Sequence, residues 1–302
     1  MSHMTTGIRD IANPWPRVGV GAMPLSFAHY EDDAQLQSRV SVLHAAFAAG
    51  MTVIDTADIY APDDESVGHN ESIVGEAVRS WHGGRDSVFV LTKNGLRREN
   101  GNWWRDSSPA YLLQAAERSC AAMGFVPDCI AIHRVNRDQS WQECVEGLMA
   151  ARDAGYTRSI GLSNVTADEL KSAWEISDGS IVVVENEYSP RMRDGFDVIQ
   201  LCAELGVAYL PWSPLGGGSE AAQLGDIYPN FDLVAARHDT TAQAVALAWL
   251  SQLAERVIPI PGFSRIQSVQ SAAAAFDLEL SEADMRLLSS TPAGAGSVFP
   301  GL

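Results

Sequence analysis

The sequence is poor in cysteine pairs, in long apolar runs and in net positive charge, and each shortage removes a class of protein. Its four cysteines, Cys120, Cys129, Cys144 and Cys202, lie far apart in apolar surroundings and include no C-x-x-C pair. Neither a disulfide framework nor a zinc site is signalled, no metal is expected, and buried thiols in a reducing cytoplasm are the natural reading. No apolar run approaches the ~18 residues of a membrane span, and the N-terminus shows no secretory h-region. Met1 to Met4 reads as a cloning remnant, so His3 is left out of functional reasoning. A formal net charge of -17 argues against general nucleic-acid binding, because a phosphate backbone would be repelled by most faces. A Rossmann turn is also excluded: Gly19 and Gly21 are not followed by a third glycine, and Pro24 stands where the helix would begin. These glycines suit a close approach of backbone to a ligand instead.

What is present is ordinary globular composition, 46% hydrophobic and 20% charged, arranged as a long alternation of strands and helices. Short apolar segments begin at Val18, Val53, Val88, Cys129, Ser159, Ile181, Val207 and Val257. Between them run helical patterns such as Leu36, Val40, Leu43 and Phe47, ended by Gly50, and Ile73, Ala77, Val78 and Trp81, with Asn70 as the expected N-cap. Trp103 and Trp104 are assigned to a loop, and Ser213 to Asp239 to a long glycine-bearing loop. Ile181 to Val184 is apolar at every position, as a strand buried on both faces requires. The composition does not change along the chain and no linker or repeat interrupts it. The expected fold is therefore α/β, a single (β/α)8 TIM barrel over residues 1–302, with a doubly wound open sheet as the competing arrangement.

Three of these strands end in groups that titrate. Val53-Ile54 leads into Asp55, the Val88 strand into Lys93, and the Cys129 strand into His133, while Tyr60 follows Asp55 by five residues. If the strands are parallel around a barrel, these ends converge on one mouth. A phenol with a reference pKa near ~10 donates a proton efficiently at neutral pH only when its anion is stabilised. A lysine supplies that stabilisation, an aspartate holds the lysine, and a histidine orients the reacting oxygen or shares the proton.

The order of these residues resembles that of the aldo-keto reductases, over most of the chain. The likeness runs through Gly21-Ala22-Met23, Asp55-Thr56-Ala57-Asp58-x-Tyr60, Asn70-Glu71, Thr92-Lys93, Ile132-His133-Arg134, Ile160 to Asn164, Asn186 to Ser189, Pro211 to Gly216 and Ile258 to Arg265. The resemblance implies a catalytic tetrad of Asp55, Tyr60, Lys93 and His133, with Tyr60 as general acid, and NADPH/NADP bound across a barrel mouth without a Rossmann domain. It implies that Ser163 and Asn164 hold the nicotinamide carboxamide and that Trp212 stacks on the ring. Ser213, Leu215 and Gly217 would lie over the pyrophosphate. Gly21, Ala22, Met23, Gly262 and Ser264 complete the cofactor set, and Arg265 meets the adenosine 2'-phosphate.

Two positions depart from the family pattern. Glu185 stands where a glutamine usually meets the carboxamide, and Ser268 to Ser271 replaces a more polar run near the adenine. Trp103 and Trp104, with Met23, Phe27 and Phe299, either line a pocket for an apolar or flat-ring substrate or pack the loop onto the barrel. The expected function is NADPH-dependent reduction of an aldehyde or ketone. The partner is then a small carbonyl or alcohol, with neither nucleic acid nor membrane involved and no oligomeric state indicated. A nicotinamide-sensing binding module and a redox-neutral lyase or epimerase retaining NADP remain as alternatives.

Overall fold

The computed structural model describes residues 16–294 and 296–299; the N-terminal remnant lies outside them. Among the described residues nine strands are formed: β1 Val20–Gly21, β2 Val53–Asp55, β3 Phe89–Asn94, β4 Leu96–Glu99, β5 Asn102–Arg105, β6 Cys129–Ile132, β7 Ser159–Ser163, β8 Ile181–Glu187 and β9 Ala208–Trp212. Seven of them make one parallel sheet in the order β1-β2-β3-β6-β7-β8-β9. The helices are α1 Asp33–Ala48, α2 His69–Arg79, α3 Pro109–Met123, α4 Trp141–Asp153, α5 Ala167–Ile176, α6 Phe196–Leu205, α7 Gly218–Ala221, α8 Leu224–Ile227, α9 Pro229–Arg237, α10 Ala242–Ser251, α11 Ile266–Ala273 and α12 Glu282–Ser290. None of them is long and apolar enough to cross a membrane, among the described residues.

Residues 257–262 close the sheet into a barrel between β9 and β1. Ile258 and Ile260 donate to the Tyr209 and Pro211 carbonyls, while Gly19 and Gly21 donate to those of Pro259 and Pro261 at 2.9 and 3.0 Å. Only isolated parallel bridges, Tyr209 with Val257 and Gly21 with Gly262, mark this eighth segment. The physical reason is local: Pro259 and Pro261 lack the N–H that would return bonds to residues 17 and 19, so the ladder is incomplete there.

Side-chain alternation then sorts the strands into two cores. Val53, Phe89, Leu91, Cys129, Ala131, Val183, Ala208, Leu210, Ile258 and Ile260 fill the barrel interior. The neighbouring positions, among them Ile54, Val90, Ile130, Ile160 and Val184, join the larger layer under the helices. Continuing the interior set by two residues at each C-terminal end reaches Asp55, Lys93, His133, Glu185 and Trp212. Thr92 and Asn94 face the helices instead, where Thr92 donates to Glu71 of α2 at 2.5 Å and Asn94 to Ser119 of α3 at 3.0 Å.

Four local expectations need correction. Asn70 is not an N-cap: α2 starts at His69 behind Gly68, two residues earlier than expected, and the Gly68 φ of 90° suits glycine. The Asn70 side chain is buried, donates to Ala22 O and Ser26 Oγ and accepts from Thr56 Oγ1, so it binds the turn after β1 to α2. Trp103 and Trp104 lie not in a plain loop but in the β4–β5 hairpin, whose turn is Asn100-Gly101 with φ of 52° and 73°. That dipeptide is the strongest short-range hairpin signal, and it was in plain view. The segment 213–239 contains α7, α8 and α9 rather than one long loop; Phe231, Val234 and Ala235 bury the inner face of α9. Lys93 sits one residue inside β3 rather than at its end.

Candidate active site

The alternation brings Asp55, Tyr60, Lys93 and His133 together at the C-terminal mouth of the barrel, beside a cavity of about 470 Å³. Asp55, Tyr60, His133 and Glu185 line it. Lys93 lies just beneath, fully buried, with its ammonium donating to Asp55 Oδ1 and standing 3.1 Å from Glu185 Oε2. Glu185 is thus a second carboxylate on the same lysine, a relation invisible in the sequence because the two residues are far apart in the chain. The Lys93 ammonium lies 5.0 Å from the centre of the Tyr60 ring, and the His133 ring meets Tyr60 edge to face at 5.5 Å.

The electrostatics follow from burial and from this pairing. Burial alone would push the Lys93 amine toward neutrality, but Asp55 and Glu185 more than reverse it and hold the ammonium charged. Burial raises the Tyr60 phenol above its ordinary range, Asp55 and Glu185 raise it further, and Lys93 opposes them. The phenol is a neutral donor at physiological pH. Burial, with Lys93 and Arg134 nearby, holds His133 well below the usual imidazole range and therefore uncharged. Its Nδ1 has no hydrogen-bond partner among the described residues. Asp55 is raised by burial and by Glu185, against the pull of Lys93.

One wall of the cavity is a linked polar set. Asn164, in the left-handed region at φ 60°, donates to the His133 carbonyl at 2.9 Å and to Ser163 Oγ at 2.8 Å. Its Oδ1 accepts from Trp212 Nε1 at 3.1 Å, which fixes the indole plane against the cavity. Asparagine tolerates that backbone conformation better than most residues.

Most of the other expected residues fall on the same cavity: Gly21, Met23, Ser213, Leu215, Gly217 and Gly262, with Trp103 and the aromatic rings of Phe27 and Phe299 at the rim. Five do not line it. Lys93 acts through its neighbours; Ala22 is buried, with its N–H on the Asp55 carbonyl; Trp104 is turned away, with the Arg97 guanidinium 5.1 Å from its ring centre. Ser264 and Arg265 are exposed beyond the cavity edge, where Arg265 takes the N-cap position of α11 without a side-chain capping bond. Residues that sequence reasoning gave no role include Arg134, Leu96 and Ile260, all on the cavity wall. Arg134 had one available signal, its place directly after His133.

The geometry defines a barrel-mouth site that holds a charged lysine, a neutral phenol and a neutral imidazole in mutual contact, a constellation for proton transfer beside a deep cleft. The chain belongs to the aldo/keto reductase family, whose profile matches residues 17–291, and that membership makes it an NAD(P)H-dependent oxidoreductase. It is 31% identical over 323 aligned positions to probable aldo-keto reductase 1 of Glycine max, covering 95% of this chain and 89% of that protein. It is 32% identical over 277 positions to pyridoxine 4-dehydrogenase of Escherichia coli strain K12, covering 88% and 91%. Among solved structures, an aldo-keto reductase from Klebsiella pneumoniae in complex with NADPH superposes with a TM-score of 0.75 at 25% identity, covering 91% of this chain and 90% of that one.

Proposed function

We propose that this protein reduces an aldehyde or ketone to the alcohol with NADPH, working as a single barrel unit. The observation that carries the reading is the Lys93 ammonium 5.0 Å from the Tyr60 ring centre at the cavity, held charged by two buried carboxylates. The residues present fit the cofactor. Trp212 offers a flat ring anchored by Asn164, and Ser163, Asn164 and Glu185 supply polar atoms on the adjoining wall. Gly218 has open space where a side chain would project. Gly21 and Gly262 bring backbone to the cavity floor, where a Cβ on Gly21 would meet Ile260 O at 2.9 Å.

NADPH, when bound, supplies the hydride that reaches the carbonyl carbon. Tyr60 delivers its proton to the carbonyl oxygen, and Lys93 stabilises the phenolate left behind, being the nearest positive charge. Asp55 and Glu185 hold Lys93 in place. His133, uncharged, directs a ring nitrogen at the carbonyl oxygen and so orients it. The balance is one carbonyl, one NADPH and one proton to one alcohol and one NADP+. Glu185 adds a second negative charge around Lys93, which favours the cationic oxidised nicotinamide over the neutral reduced one. The free cysteines, three of four buried, suit a reducing cytoplasm.

The test follows NADPH absorbance over a panel of aldehydes and ketones, with NADH in parallel. The expected result is NADPH oxidation by the parent, and a Tyr60→Phe loss of about two to four orders of magnitude in kcat. NADP+ binding to Tyr60→Phe, read by protein fluorescence, should persist. Full turnover in Tyr60→Phe contradicts the mechanism, and a parent inert with every carbonyl contradicts the function.

A further inference from the structure

Arg134 lies on the cavity wall with its guanidinium over the Trp212 ring, 5.5 Å from the centroid. It makes neither a hydrogen bond nor an ion pair within 4.0 Å among the described residues. This is out of keeping with its surroundings. A guanidinium carries five N–H donors, and those of half-buried Arg134 stay open to the cavity instead of being spent on the protein. Two of the three arginines of the neighbouring hairpin are satisfied: Arg98 binds Asp64 at 2.6 Å and the Ala61 carbonyl at 2.9 Å, and Arg97 binds Asp106 at 3.1 Å.

The groups that face Arg134 do not neutralise it. Glu185 is committed to Lys93. Glu187 accepts from Ser297 Oγ at 2.5 Å and from the Val298 N–H at 2.8 Å, and so holds the C-terminal tail. Tyr60 is a neutral phenol. The remaining neighbour is Arg105 at the end of β5, which repels Arg134 and has no ion-pair partner of its own among the described residues. The Arg134 guanidinium therefore faces the cavity without a bound anion of the protein's own, on a wall it shares with Tyr60, His133, Leu96, Trp103 and Phe27.

We propose that Arg134 is an anion subsite of the substrate pocket, and that the preferred substrates are carbonyl compounds bearing a carboxylate or phosphate on a flat apolar body. This rests on the reductase reading above, whose site it shares. The guanidinium fork matches a planar or tetrahedral oxyanion with two parallel hydrogen bonds, and the indole beneath fixes its orientation. Because the whole chain carries -17, anions gain nothing from long-range attraction, and discrimination comes from contact at this corner.

The test measures binding rather than turnover, so it stands apart from the reductase assay. Benzoate, phenyl phosphate and the isosteric neutral benzamide are titrated into the full chain with NADP+ present, and tryptophan fluorescence is followed. The parent is expected to bind at least one anion about tenfold or more tightly than benzamide. Arg134→Gln should abolish that preference, Arg134→Lys should keep part of it, and Arg134→Glu should reverse it. Which of the two anions binds better identifies the oxyanion. Equal affinity of the parent for all three ligands overturns the proposal. So does a preference that survives in Arg134→Gln, or a loss confined to NADP+ affinity. In the reductase assay, 4-formylbenzoate against its methyl ester should show the same preference, mainly in KM. A parent that binds the anions but reduces neither aldehyde refutes the reductase reading and leaves the subsite standing.

Discussion

Lys93→Met isolates the electrostatic centre of the site. The substitution keeps an unbranched apolar stem and removes the only cation between two carboxylates that are 5% and 2% exposed. Breaking a buried pair by deleting one partner costs about 3–5 kcal/mol, because the remaining charge is left uncompensated. At about 2 °C per kcal/mol for a chain of this size, Tm should fall by about 6–10 °C near neutral pH and above. The loss must also depend on pH. Asp55 already titrates above the ordinary carboxylate range through burial and Glu185, and only Lys93 draws it down. Without Lys93 it rises further. A carboxyl whose folded pKa exceeds its unfolded value takes up a proton on folding between the two, so stability falls as pH rises through that window. The deficit of Lys93→Met is therefore smaller at the lower of two pH values on either side of neutrality and larger at the higher. Adding Glu185→Gln removes one of the two stranded charges and should recover about half of the loss at the higher pH. Thermal melts of the parent, both single variants and the double variant at the two pH values check this. A deficit equal at both pH values, or a double variant that melts below Lys93→Met, refutes the reasoning.

Three other outcomes follow from the same structure. Glu185→Gln should lower the ratio of NADP+ to NADPH affinity by about threefold to tenfold, the scale of one partly screened charge contact, and fluorescence titration with both cofactor forms that finds an unchanged ratio would defeat the assignment. Glu71, pushed up to about 7 by burial, accepts from Thr92 Oγ1. Its folded pKa exceeds the unfolded one, so it costs stability increasingly as pH rises to about 7, and Glu71→Gln should gain in Tm over the parent across that range; a difference that stays flat with pH counts against it. In Gly75→Ala the new Cβ would lie 2.8 Å from Met123 Cα, where α2 crosses the end of α3. A loss of about 1–3 kcal/mol is expected, and a parent-like melting curve would show that the helices can separate freely.

The barrel was legible because its signal is repeated. Most strands are short continuous apolar runs, each helix carries its own apolar stripe, and the two patterns alternate without interruption. The titrating strand ends were legible for the same reason, since Asp55 and Lys93 continue the inward parity of Val53 and of Phe89 and Leu91. What escaped detection depended on contacts across the chain. Glu185 joining Lys93, and Arg134 left without a partner, are set by the register of different strands. Asn70 looked like a cap because capping and burial use the same side chain, and only the position of Ala22 and Ser26 decides between them. The small helices of 218–237 were hidden by glycines that break periodicity, whereas the eighth segment at Val257 was legible and only its reduction to isolated bridges was not.

That last segment has a consequence for how the protein comes into being. Residues 19–21 hydrogen-bond with residues 259–261 across the whole length of the chain, so the floor beneath the mouth is shared by two stretches that leave the ribosome far apart in time. Until the later stretch emerges, the earlier one has a neighbour on one edge only, and no catalytic pocket exists to bind anything. Residues 259–261 must be made before the first glycines find their final setting, and such distant pairing is slow by nature.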